Sequence, residues 1–147
     1  MSKFEMIPLY NTQAVMNAWP KIQEGLEKVI ENAANDHDKT TLLNELLGGQ
    51  KLLWLGFVDG KYVAFSVTYF HVTGTQPQKK ILQIDSTYKD PKADSDITEQ
   101  FINRLTQYAR EQGASQIDIW STRKGFERYI KKHDFLPSYT KYSKEIK

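Results

Sequence analysis

The segment from Lys80 to Lys132 constrains the fold more than any other part of the chain. It reads as a strand, a polar junction, a long amphipathic helix, a second strand and a second helix. The first strand is Ile81, Leu82, Gln83 and Ile84, and it runs into a junction from Asp85 to Asp96. The following helix carries Ile97, Phe101, Leu105, Tyr108 and Ala109 on one face. Asp96, Ile97, Thr98 and Glu99 fit a capping box at its start, and Gly113 suits its end. A helix joining two strands of one sheet implies a parallel, right-handed crossover. The junction ahead of the helix is a natural cradle for an anion, because free amide N–H groups and the helix dipole converge there. Here it holds Asp90, Asp94 and Asp96 and contains no glycine.

The rest of the chain supplies further elements in a readable order. Phe4–Leu9 suits a short strand, and Asn11–Ala18 a helical turn that is interrupted where Trp19 and Pro20 restart the chain. Proline favours the first helical position, and Ile22, Leu26, Val29, Ile30 and Ala33 then recur at helical spacing. Asp38 can cap another helix with Leu42, Leu43, Leu46 and Leu47, closed by Gly48 and Gly49. Lys51–Val72 is a hairpin around Asp59 and Gly60, a pair that populates the type I′ turn. Residues 74–80 form a longer polar loop, Gln116–Trp120 a short strand, Lys124–His133 a short helix and Tyr139–Ile146 a last strand. The expected fold class is α/β: a mixed sheet with helices on both faces.

A length of 147 residues suits one domain, residues 1–147, with a core large enough to need no staples. The absence of cysteine excludes disulfides and thiolate metal sites. His37, His71 and His133 have no metal-ligand spacing and no paired nucleophile, so no metal is expected. The N-terminus lacks the pattern of a signal peptide, and the longest apolar runs are too short to span a bilayer, so no membrane contact is expected. From Ser121 to Lys147 there are 8 Lys and Arg against 3 Asp and Glu, on an otherwise acidic chain. Such an end suits a solvated helix face, an acidic partner or nucleic acid, although no nucleic-acid motif is readable.

This element order, with the tail from Gly125 to Phe135, resembles the GNAT N-acetyltransferase fold over nearly the whole chain. More narrowly, the chain looks like the small GNAT-like proteins of tailed bacteriophages, including an internal virion protein of short-tailed phages. The residues that carry this likeness are Ala18-Trp19-Pro20, the hairpin from Leu53-Trp54-Leu55 to Asp59-Gly60-Lys61, and Arg123 to Arg128.

The resemblance implies a glycine-rich loop after the fourth strand, whose amides hold the pyrophosphate of acetyl-CoA. Aligning Ile97 with the hydrophobic residue of that loop puts Asp96 and Thr98 at the two glycine positions. Side chains there obstruct close backbone approach, and a carboxylate repels a diphosphate. The family also often uses a tyrosine in the last helix to protonate the leaving thiolate. That position is Ile130 here, with Tyr129 rotated away by roughly 100°. Asp85, just past the fourth strand, lies where a GNAT base could sit; Asp118 is read as an outward-facing or capping carboxylate.

Two functions follow as expectations. The first is a GNAT-fold phage protein without acetyl transfer, working in the virion, in morphogenesis or in host interaction, in the infected bacterium's cytoplasm or in the particle. It has no catalytic residue and no cofactor, and its partners are other phage or host proteins. They would be met through Trp120, Tyr139 and Tyr142 or through the basic face of Arg128, Lys131 and Lys132. The second is an active acyl-CoA-dependent N-acetyltransferase. In that case Asp85 is the base, Ile84 and Ser86 pair with the pantetheine arm of acetyl-CoA, and the amides of Ile97 and Thr98 hold phosphate.

Overall fold

The computed structural model describes residues 3–31, 38–74, 78–93 and 96–119, together with the single positions 135, 144 and 146. The elements are β1 Phe4–Leu9, α1 Thr12–Glu31, α2 Lys39–Leu47, β2 Leu52–Val58, β3 Lys61–Val72, β4 Lys80–Lys89, α3 Asp96–Glu111 and β5 Gln116–Ile119. Spatial order in the sheet follows chain order. The first four strands pair antiparallel, and β5 lies parallel to β4 across the α3 crossover. The mixed α/β sheet read from the sequence is therefore the one observed.

Each face of the sheet has its own core. On one, Val15, Ala18, Trp19, Ile22 and Leu26 of α1 and Leu42 and Leu46 of α2 pack on Leu53, Leu55, Phe65 and Val67. On the other, Phe101, Ile102, Leu105 and Ala109 of α3 cover Met6, Trp54, Leu82 and Ile84. Trp54 is fully buried there. Its indole N–H donates to Thr68 Oγ1 at 2.9 Å, and its ring meets Tyr108 edge-on at 4.8 Å. The bond removes the penalty of burying an indole donor, so the largest side chain of the sheet can sit at its centre.

Two local expectations change. Trp19 and Pro20 do not restart a helix, because α1 runs unbroken from Thr12 to Glu31 with Pro20 inside it. An interior proline costs about 3 kcal/mol. Five side chains on both sides of Pro20 share one buried stripe, and Val15, Ile22 and Leu26 alone contribute roughly 1.5–3 kcal/mol each. Burial outweighs the local break. The second change lies in β4, which continues to Lys89 rather than ending at Ile84, so Asp85 is inside the strand and not beyond it. Ser86, Thr87, Tyr88 and Lys89 keep pairing with Val67, Ser66, Phe65 and Ala64. Those partners supply the ladder bonds that a loop would have left to water.

The hairpin turn and the cap of α2 perform as read. Asp59 and Gly60 both have positive φ, 50° and 82°, the backbone a type I′ hairpin demands. Asp38 caps α2 by accepting from the amide of Thr40. Its hydrogen bond from the Thr41 hydroxyl, then that from Thr40, holds its carboxyl below the usual aspartate range. Gly25 has a packing role: a Cβ there would sit 2.6 Å from the ring of Tyr88, so only glycine lets α1 approach β4 this closely. No described helix is long and apolar enough to cross a membrane. The helix expected over Lys124–His133, the strand over Tyr139–Ile146, Trp120 and the side chains of Asp94 and Asp96 lie outside the described residues.

Candidate functional site

The middle of β4 is irregular where a binding strand would need to be. Against β3, Val67 faces Ser86 and Thr68 faces Ile84, so Asp85 is an extra residue without a partner. A bulge of this kind breaks the alternation of side chains. Ile84 belongs to the α3 core, whereas Tyr88 stacks on Phe65 on the opposite face. Counting from each end places Asp85 and Ser86 together on the α1/α2 face.

Asp85 is tied down there. Lys51 donates from Nζ to Asp85 Oδ2 at 2.7 Å and lies 3.3 Å from Glu45 Oε2, with its ammonium 5.1 Å from the centre of the Tyr69 ring. The Asp85 side chain is 8% exposed and that of Lys51 15%. Burial pulls the Lys51 pKa down, but the hydrogen bonds and charges of Asp85 and then Glu45 outweigh it and hold the ammonium above the ordinary lysine value. The cluster joins the end of α2, the start of β2 and the bulge of β4. A general base needs an oxygen within reach of a substrate proton. One oxygen of Asp85 is committed to an internal cation. Next to it, Ser86 is almost fully buried and its hydroxyl has no hydrogen-bond partner among the described residues.

The strand-to-helix junction is also closed on itself. It begins at Asp90, whose N–H donates to the Val63 carbonyl at 2.8 Å. The Asp90 carbonyl accepts from the Ala93 amide at 2.9 Å, and Asp90 Oδ1 accepts from the Lys92 amide at 2.9 Å. Ala93 and Ile97 pack beside Val63 and Ala64. Holding a diphosphate requires outward, unshared amide donors. In this junction Lys92 and Ala93 give theirs to Asp90, whose carboxylate adds negative charge at the same place. The described part of the junction does not fit the diphosphate of a coenzyme.

The remaining candidates are spread along β4. Ile84 and Ile97 are buried, and Thr98 is half-buried. Ile84, Asp85 and Ser86 are contiguous, while Ile97 packs near the Lys89 end, roughly 16 Å along the strand from Ile84. Asp118 accepts from Gln116 Nε2 at 2.7 Å, an ordinary hydrogen-bonded carboxylate. His71 lies beside Tyr69 with ring centres 6.0 Å apart. No described group of residues could hold a metal ion. His37, His133, Tyr129, Ile130, Tyr139, Tyr142, Arg128, Lys131 and Lys132 lie outside the described residues. Sequence reasoning missed Lys51 and Glu45. Lys51 stands 34 positions from Asp85, and nothing local marks either as a partner.

No family model and no curated protein matches this chain in sequence. Solved structures do match in shape. A ribosomal-protein-alanine N-acetyltransferase from Brucella melitensis biovar Abortus 2308 superposes with a TM-score of 0.72 at 15% identity, covering 99% of this chain and 100% of that one. A Trypanosoma brucei acetyltransferase gives 0.70 at 12% identity, with 98% and 100% covered. An aminoglycoside N-acetyltransferase in complex with CoA gives 0.67 at 12% identity, with 99% and 96% covered. The chain has the GNAT fold. At these identities the likeness reaches the GNAT scaffold and stops there, since a fold hosts many functions.

Proposed function

We propose that this chain is a GNAT-fold interaction protein that transfers no acetyl group and serves a tailed bacteriophage. It acts in the particle, in its assembly or in its encounter with host proteins, and resides in the virion or the infected cytoplasm. The observation that carries the silent reading is Asp90, which takes the amides of Lys92 and Ala93 at 2.9 Å each and adds a carboxylate to the junction ahead of α3. The Lys51–Asp85 pair at 2.7 Å supports it, because the nominated base is already engaged. The phage assignment rests on the sequence resemblance alone.

A thermal shift with acetyl-CoA tests the reading. A ligand at about 100 times its dissociation constant adds about 2.7 kcal/mol, which raises the midpoint of a domain this size by roughly 5–10 °C. The expected shift is under about 1 °C, and a clear rise refutes the proposal. Co-purification with phage particles tests the assignment separately.

One observation favours a second reading, an acyl-CoA-dependent N-acetyltransferase. The Ser86 hydroxyl is buried without a partner among the described residues, directly beside Asp85 at the bulge. There Asp85, once released from Lys51, is the base, and Asp85→Asn abolishes turnover.

A further inference from the structure

β1 is the outer strand of the sheet, paired with β2 and, among the described residues, with no strand on its other side. The Asp59 amide donates to the Lys3 carbonyl at 2.9 Å, and the Lys3 amide donates to Asp59 Oδ1 at 2.8 Å. Bonding in an antiparallel ladder alternates. Residues in step with Lys3, namely Glu5, Ile7 and Leu9, therefore face β2, while Phe4, Met6 and Pro8 turn their backbone outward. Pro8 falls at an outward position, where its missing N–H takes nothing from the β1–β2 ladder. Phe4 and Met6 each offer one donor and one acceptor to the open side.

Beside this edge lies an open groove of about 360 Å³ between β1 and α3, lined by Phe4, Glu5, Met6, Ile7, Gln100 and Arg104. Ile7 is 44% exposed. Glu5 is paired with Lys3 at 2.9 Å. Arg104 rests its guanidinium 5.3 Å from the centre of the Trp54 ring, and no described carboxylate pairs with it. Open main chain, apolar walls and a cation with no carboxylate partner among the described residues thus meet at a single edge.

We propose that β1 receives a short extended segment of a partner protein, in which apolar and acidic residues alternate. Phe4 and Met6 pair with its main chain, and Arg104 takes one of its carboxylates. A second copy of β1 fits poorly. Pairing centred on Met6 sets Phe4 against Pro8, which has no N–H to give, and pairing centred on Glu5 sets two carboxylates face to face. The inference is independent of acetyl transfer, because the groove lies at the opposite edge of the sheet from β5 and uses neither Asp85 nor Asp90.

Fluorescence anisotropy on the full chain tests it with a labelled, blocked hexapeptide of alternating valine and glutamate. A valine–lysine hexapeptide is the comparison. The acidic peptide saturates, and the basic one binds at least about tenfold more weakly. Arg104→Gln weakens the acidic peptide about fivefold, and N-methylation of alternate peptide amides abolishes binding. The proposal is overturned by equal binding of the two peptides, by no binding, or by binding that ignores Arg104→Gln or N-methylation. A dimer of the free chain in sedimentation overturns it as well, by making a second copy the occupant.

Discussion

At the bulge of β4, three charges close on one another, whereas at the edge of β1 a cation has no carboxylate partner among the described residues. Lys51 sits between Asp85 and Glu45 under the cover of α2, with Tyr69 beneath it. Arg104 stands over Trp54 in an open groove, with no carboxylate paired to it among the described residues. Both regions belong to the same sheet, and both carry polar groups at an irregular or unpaired stretch of strand. Internal partners at the bulge make a rigid joint between α2, β2 and β4, because a buried charge is tolerated only when paired. Among the described residues the edge has no such partners, which leaves hydrogen-bonding and charge capacity for another molecule. The contrast sets charge spent inside the fold at β4 against hydrogen-bonding groups turned outward at β1.

The contrast is open to direct attack. Lys51→Met leaves Asp85 buried without its cation, and urea denaturation should show a loss of about 3–5 kcal/mol. Adding Asp85→Asn should recover much of that loss, since the stranded charge is then gone. A single-variant loss under about 1 kcal/mol breaks the claim that the bulge is a closed ionic joint.

A smaller effect is expected from pH. The Lys51 pKa is higher folded than unfolded, so its contribution is fully present below the unfolded lysine value of 10.5 and is lost as pH rises through the folded one. Urea midpoints should therefore fall on the alkaline side, with the Lys51→Met chain lacking that part of the decline. Matching alkaline limbs in the two chains would show that the ammonium is not held by the pair.

The smallest effect belongs to the edge. Arg104→Gln forfeits one cation–ring contact on Trp54 and should cost about 1 kcal/mol or less. A loss as large as that of Lys51→Met would make Arg104 a structural residue and erase the difference between the regions.

Much of this molecule was readable one segment at a time. The period of Ile97, Phe101, Leu105 and Ala109 announced α3 and its buried face, and all four are buried. Asp59-Gly60 announced its hairpin, Asp38 its cap, and the strand–helix–strand order the parallel pairing of β4 with β5. These features depend on neighbours within a few positions, where spacing and backbone preference carry the information. Local signals misled at Pro20, where a helix breaker was overruled by the burial of residues on both sides. They misled again at Asp85, read as the end of a strand.

Amino-acid order alone determined the secondary elements, the two apolar faces of the sheet, and the acidic, glycine-free character of the junction before α3. Only the tertiary structure decided that Asp85 is a bulge paired with Lys51, that Asp90 takes the amides of Lys92 and Ala93, and that Arg104 lies over Trp54 beside the edge strand. Strand register and ion pairing depend on residues far apart in the chain meeting in space. A single residue's slip in that register moves every side chain to the other face, and no local pattern records it.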